Sequence, residues 1–251
     1  MASFTTPALV IRRADYSDYD RMVTLFSPEL GRIDAIARGC RRPKSALVNA
    51  VEPFTSGEYQ LYASRERFSI EQCQITESFY ELRGDYDRLR HGAYWLKLLE
   101  PAVLPDTPAP ELFMLTLRAL AYLNYGELPP ELVTFAFEAH FMRLMGLSPR
   151  MDACALCGRP VDGDARFDPE LGGAVCLDCR SSAPPVSNAA RRILMKLPRT
   201  AFDKFQLLAD RPEWPEAARL ERSFVNLRMH AEASAPPLYA EDAASEGAMP
   251  R

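Results

Sequence analysis

Four cysteines in two matching frames constrain this chain more than any other feature. They run Cys154-Ala-Leu-Cys157, then eighteen residues, then Cys176-Leu-Asp-Cys179. A two-residue gap lets a tight turn aim two thiolates at one ion, and two such knuckles joined by a short hairpin complete a tetrahedral site. The intervening segment suits a hairpin: Arg166 and Phe167, a turn-rich stretch from Asp168 to Gly173, then Ala174 and Val175. With four thiolates as ligands no vertex is left for a catalytic water. The expected cofactor is therefore one Zn2+ in a structural role, adding on the order of 10 kcal/mol to the folding of this segment. Two disulfides, or four free thiols, are the competing readings.

The rest of the chain divides by hydrophobic period. Residues 8–13, 21–27, 32–38, 54–63 and 67–75 read as five short strands. In the third, Ile33, Ala35 and Ala37 share one face, while Arg32, Asp34, Ile36 and Arg38 share the other. Five strands in so short a span predict a small closed barrel of the OB type. After Gly84 the period becomes helical. Helices are expected from Tyr86 to about Pro101, Pro110 to Gly126, Pro130 to Met145, Asn188 to Leu197 and Pro215 to His230. The fold class is α+β: an OB-fold domain over 1–80, a helical domain over 81–150 with 183–230, and an inserted four-cysteine zinc element over 151–182. Residues 231–251 form an acidic, alanine-rich tail with too little apolar content to order alone.

Charge singles out the beginning of the chain. The net charge is −4, yet residues 1–50 hold eight Arg or Lys against five Asp or Glu, which is +3, leaving −7 for the other 201. Between Gly31 and Lys44 five cations, Arg32, Arg38, Arg41, Arg42 and Lys44, meet one acid, Asp34. On a barrel face, with Arg12 and Arg13 on a neighbouring strand, such residues would track a nucleic-acid backbone, and nearby Tyr or Phe would stack bases. A merely solvated charged face is the plain alternative. Arg191, Arg192 and Lys196, on the helix after the cysteines, make a second, weaker basic group.

Signals for catalysis are poor. The segment from Gly39 to Ser45 only superficially resembles a phosphate loop: Pro43 stands where a Walker motif has glycine before its Lys-Ser. His140 sits at helical spacing among Phe137, Phe141 and Leu144, as a packing residue does, and His91 and His230 have no ligand pattern around them. Asp15, Asp18 and Asp20 form a turn without the second carboxylate cluster that a two-metal site needs. No nucleotide cofactor and no enzymatic activity are expected. Arg118 interrupts the most apolar stretch, Leu112 to Leu123, so no membrane span is expected. The opening residues lack the basic-then-apolar pattern of a secretory signal. Cysteines used for a metal agree with a cytoplasmic, nucleoid-associated location, with Cys40 and Cys73 left as reduced thiols.

Taken together, three stretches resemble the RecO family of recombination mediators. The first is Val10-Ile-Arg-Arg13 with the acidic turn and Val23 to Gly31, leading into Ile36-Ala-Arg-Gly-Cys-Arg-Arg-Pro-Lys44-Ser45. The second is Phe141 to Gly158, holding Gly146-Leu-Ser-Pro149 and the first cysteine knuckle. The third is Cys176-Leu-Asp-Cys179 with the helical tail after it. The likeness spans about residues 8–230 in order. It implies an OB-fold domain, a helical domain and a zinc-finger-like element. It further implies binding of ssDNA and dsDNA, annealing of complementary strands, and work with RecR to load RecA on DNA covered by single-strand-binding protein (SSB). The residues expected to carry DNA are Arg12, Arg32, Arg38, Arg41, Arg42 and Lys44 on a first track and Arg191 and Arg192 on a second. The alternative is a protein-interaction adaptor in a repair complex that binds DNA only weakly.

Overall fold

The computed structural model describes residues 2–64 and 67–230. The acidic tail expected over 231–251 lies outside the described residues. The chain forms two compact units, Met1–Asn124 and Tyr125–Arg251.

The first unit is built on the expected barrel. Strands β1 (Ala2–Asp15), β2 (Arg21–Ser27), β3 (Gly31–Ala37), β4 (Ser56–Ser64) and β5 (Arg67–Glu77) close in the order β1-β2-β3-β5-β4. All neighbours are antiparallel except β3 and β5, a parallel seam of two pairs, Ala35 with Phe68 and Ile36 with Ser69. This is the OB arrangement. Inward positions alternate as the sequence predicts: Ile33, Ala35 and Ala37 are buried with Val10, Val23, Leu25, Leu61 and Ile70, while Asp34 faces out. Tyr59 spans the interior, and its hydroxyl donates to the carbonyl of Ala50 at 2.7 Å. Gly31 turns β2 into β3 with φ +65°, and a Cβ there would sit 2.1 Å from the carbonyl oxygen of Leu104. That close approach lets the Arg32 amide donate to the same carbonyl at 3.1 Å.

Two helices complete this unit. In α1 (Tyr86–Ala102) Asp85 caps the N-terminus, accepting from the amides of Asp87 and Arg88, and Pro101 stands in the last turn. In α2 (Pro110–Tyr125) Phe113 meets Phe26 edge to face at 5.4 Å, on the outside of β2. Among the described residues no helix is long and apolar enough to cross a membrane.

The second unit centres on α3 (Pro130–Leu144), buried on every side from Leu132 to Met142. That run is apolar apart from Thr134, Glu138 and His140, with Glu138 paired to Arg222 at 2.5 Å. It packs with α5 (Trp214–Met229) and with short 3-10 turns at Leu197–Arg199 and Phe202–Leu208 that the sequence period did not suggest. His140 is a packing residue, as expected: its ring nitrogens lie 2.8 Å from the Ala136 carbonyl and 3.1 Å from that of Thr200, and Phe202 meets its ring edge-on. A second sheet, β6 (Ala165–Asp168), β7 (Gly173–Val175) and β8 (Pro185–Val186), carries the hairpin between the knuckles, with α4 (Asn188–Lys196) following.

Candidate metal centre and nucleic-acid interface

The hairpin β6–β7 brings the two knuckles together. The four Sγ atoms of Cys154, Cys157, Cys176 and Cys179 all lie within 4.8 Å of one another. Cys154 and Cys179 are 3.9 Å apart, and Cys157 and Cys176 are 3.8 Å apart. A disulfide needs about 2.05 Å. A tetrahedron of sulfurs about 2.3 Å from a central ion has edges of about 3.8 Å. The spacings therefore fit one tetrahedral metal ion and exclude the disulfide reading.

Backbone and side-chain donors prepare two of these thiols, Cys154 and Cys157, for the thiolate form. Hydrogen bonds with the Cys176 and Cys157 sulfurs instead push Cys179 up to about 12 when no cation lies between them. Burial alone would raise the pKa of Cys154, but amides of Cys157, Cys176 and Leu156 point at its sulfur and hold it at about 6. Arg159 donates through Nε to Cys157 at 3.4 Å and lowers that thiol. The same guanidinium lies 4.0 Å from Cys176 and pairs with Asp178 at 3.1 Å. A tetrathiolate site carries a net negative charge even with a divalent ion bound, and Arg159 is placed to offset it.

Arg191 corrects the expected second DNA track. It is 4% exposed, and it donates to the carbonyls of Met151 (2.7 Å) and Gly163 (3.1 Å) and to Asn188 (2.9 Å). Its role is to tie α4 to the segment bearing the first knuckle, because the buried Met151 carbonyl needs a donor there and that of Gly163 adds a second, part-buried one. Arg192, one position on, is exposed. With Lys196, Lys204, Arg211 and one acid, Glu213, it lines a cleft together with Ile193, Leu197, Leu207 and Leu208.

The expected first track is narrowed. Arg12 pairs with Glu100 on α1 at 2.6 Å, and Arg32 makes a two-nitrogen contact with Asp34 at 2.8 and 3.0 Å. Arg13 pairs with Glu52, which also accepts from Arg21. Arg41 reaches the carbonyl of Ser17 at 3.1 Å and Asp15 at 3.3 Å. The remaining three, Arg38, Arg42 and Lys44, are exposed and in no ion pair among the described residues. They cluster on the loop after β3.

That loop is fastened to the β1–β2 turn, residues 16–20. The Arg41 amide donates to the Tyr19 carbonyl at 3.0 Å, and the Gly39 amide donates to Asp20 at 2.7 Å. The Gly39 bond, countered in part by burial and helped by Ser17, Arg38 and Arg42, lowers the Asp20 carboxyl below its usual range. Asp15 and Asp20 are thus consumed inside the tip and do not form a cation site. Sequence reasoning missed two aromatic members of this tip. Tyr16 and Tyr19 are 57% and 52% exposed, and the Arg42 guanidinium lies over the Tyr19 ring at 5.0 Å. Their signal was present in the sequence: two tyrosines in a short polar turn between strands have no core to enter.

Comparison with known proteins agrees with this architecture. A family model described as Recombination protein O N terminal matches residues 1–79, and one described as Recombination protein O C terminal matches residues 83–231. Among similar curated proteins, the DNA repair protein RecO of Moorella thermoacetica is 34% identical over 179 residues, which cover 70% of this chain and 66% of that protein. The same-named protein of Desulfitobacterium hafniense is 38% identical over 189 residues, 74% of this chain and 68% of that one. The one from an Anaeromyxobacter species (strain K) is 36% identical over 217 residues, 85% of each chain. The matches run through barrel, helices and cysteine element alike, and the chain belongs to the recombination protein O (RecO) family.

Proposed function

We propose that the protein is a non-enzymatic DNA-binding recombination mediator: it binds ssDNA and dsDNA, anneals complementary strands, and with RecR promotes RecA loading on SSB-coated ssDNA. The observation that carries this reading is the exposed cationic tip of an OB barrel, where Arg38, Arg42 and Lys44 make no ion pair among the described residues and Arg41 is only partly engaged. Asp20 does lie within reach of the charges of Arg38 and Arg42. Phosphate neutralisation by such groups suffices for annealing, since base pairing supplies the free energy and the protein need only offset strand repulsion. Similar proteins named DNA repair protein support the assignment. Arg192 and its cleft neighbours offer a second cationic surface. The metal at the four cysteines is Zn2+ in a bracing role, since d10 zinc accepts a closed tetrathiolate shell and gains no reactive vertex there.

The pairing of Arg12, Arg32 and Arg41 favours a second reading, an adaptor whose main contacts are proteins. A strand-annealing assay separates the two. Reversing Arg38 and Arg42 to Glu is expected to abolish annealing and weaken DNA binding more than about tenfold at low salt, as removal of two phosphate contacts and addition of two repulsions demands. Unchanged annealing by that variant, together with a stable RecR complex, would establish the adaptor.

A further inference from the structure

We infer that Tyr16 and Tyr19 form a base-stacking platform that engages unpaired bases, so that the barrel tip distinguishes single strands from duplex. The inference rests on the nucleic-acid reading above and names the part of the ligand the tip recognises. In OB folds the loop between the first two strands is one of the segments that borders the oligonucleotide track. Here that loop holds both tyrosines, more than half exposed, beside the only cations of the patch left without an ion pair among the described residues.

Four features make the turn a platform. It is rigid: the amides of Tyr16 and Ser17 both donate to the Asp20 carbonyl, at 3.0 and 3.2 Å, and Arg41 stitches the Tyr19 carbonyl and the Ser17 carbonyl to the next loop. It is braced, because Arg42 covers one side of the Tyr19 ring while half of that residue stays open. Its acids are largely silenced, Asp15 by Arg21 and Arg41 and Asp20 by the Gly39 amide, leaving Asp18 facing solvent. Finally, the positive charges that would hold phosphates, Arg38, Arg42 and Lys44, belong to the loop fastened to it, so a backbone held there brings its bases to the rings. An aromatic ring can take any unpaired base by its face, whereas a base inside a duplex is already stacked on both sides.

Anisotropy titrations of the full-length protein against a labelled oligothymidylate and a duplex of equal length test this. Replacing both tyrosines, Tyr16→Ala with Tyr19→Ala, is expected to weaken single-strand binding at least about fivefold. Duplex affinity and the salt dependence should stay as in the unmodified protein, and Tyr16→Phe with Tyr19→Phe should keep single-strand affinity. Both positions are exposed, so an unchanged melting temperature will verify folding. Unchanged single-strand affinity in the alanine variant overturns the platform, as does an equal loss on both ligands or a loss in the phenylalanine variant. An unmodified protein that binds neither ligand at low salt removes the nucleic-acid reading itself, a result distinct from all of these.

Discussion

At the scale of single residues, neighbours in sequence have opposite fates. Arg191 and Arg192 differ by one position, yet one is a buried clamp and the other is exposed. Arg191→Ala should destabilise the protein by about 1–3 kcal/mol, since it strands the buried Met151 carbonyl, whereas Arg192→Ala should change stability by less than about 0.5 kcal/mol; urea unfolding measures both. The clue lay in spacing, because Arg191 is three residues before Leu194 and shares its helix face. The pairing of Arg32 with Asp34 was equally legible from the strand alternation, whereas that of Arg12 with Glu100, 88 positions away, was not. Glu221 gives a pH-dependent case. It is fully buried, neither oxygen has a hydrogen-bond partner among the described residues, and burial, followed by the charge of Glu138, raises its pKa from 4.5 to about 8. Between those values the unfolded carboxyl is ionised and the folded one is protonated. Stability is therefore expected to fall as pH rises from about 4.5 to about 8 and then level off. Glu221→Gln should flatten that slope, being near neutral at about pH 5 and stabilising by about 1–3 kcal/mol above about pH 8 in thermal melts across pH.

Elements were the most legible scale. Among the described residues, the periods located all five barrel strands and all five α-helices, because each long segment has one face or one core to satisfy. What escaped was structure whose reason is tertiary: β1 extends back to Ala2 because it pairs with β4 beyond the apolar run, and the 3-10 turn at Phe202–Leu208 exists to place Phe202 and Phe205 against the α3 side of the core. The convergence of the four cysteines was legible in the sequence, since their spacing is itself a ligand geometry. Removing the metal with a chelator, or Cys154→Ser, should unravel the knuckles and lower the melting temperature by on the order of 10 °C. The DNA binding proposed for the Arg38–Lys44 loop should survive, since that loop belongs to the other compact unit; calorimetry and anisotropy on one sample check both halves. At the β2–β3 turn, Gly31→Ala should cost about 2 kcal/mol or more, through both the positive φ and the clash with Leu104.

At the scale of the whole molecule, the proposed function requires a chain of net charge −4 to hold a polyanion with a few local cations. If Arg38, Arg41, Arg42 and Lys44 each neutralise one phosphate, the slope of log affinity against log salt for a single strand should be about −3. A slope near zero would mean that the tip carries no phosphates. The seam between β3 and β5 has a consequence for synthesis. Only two residue pairs close the ring, and they join positions about thirty apart in sequence. While the ribosome has released only the first three strands, β3 has a naked edge, and it stays so until β5 emerges. The interval of vulnerability to chaperones, proteases or a neighbouring nascent chain is thus set by translation through residues 38–67. Slowing the ribosome there should lower the soluble yield even with every folded-state contact unchanged.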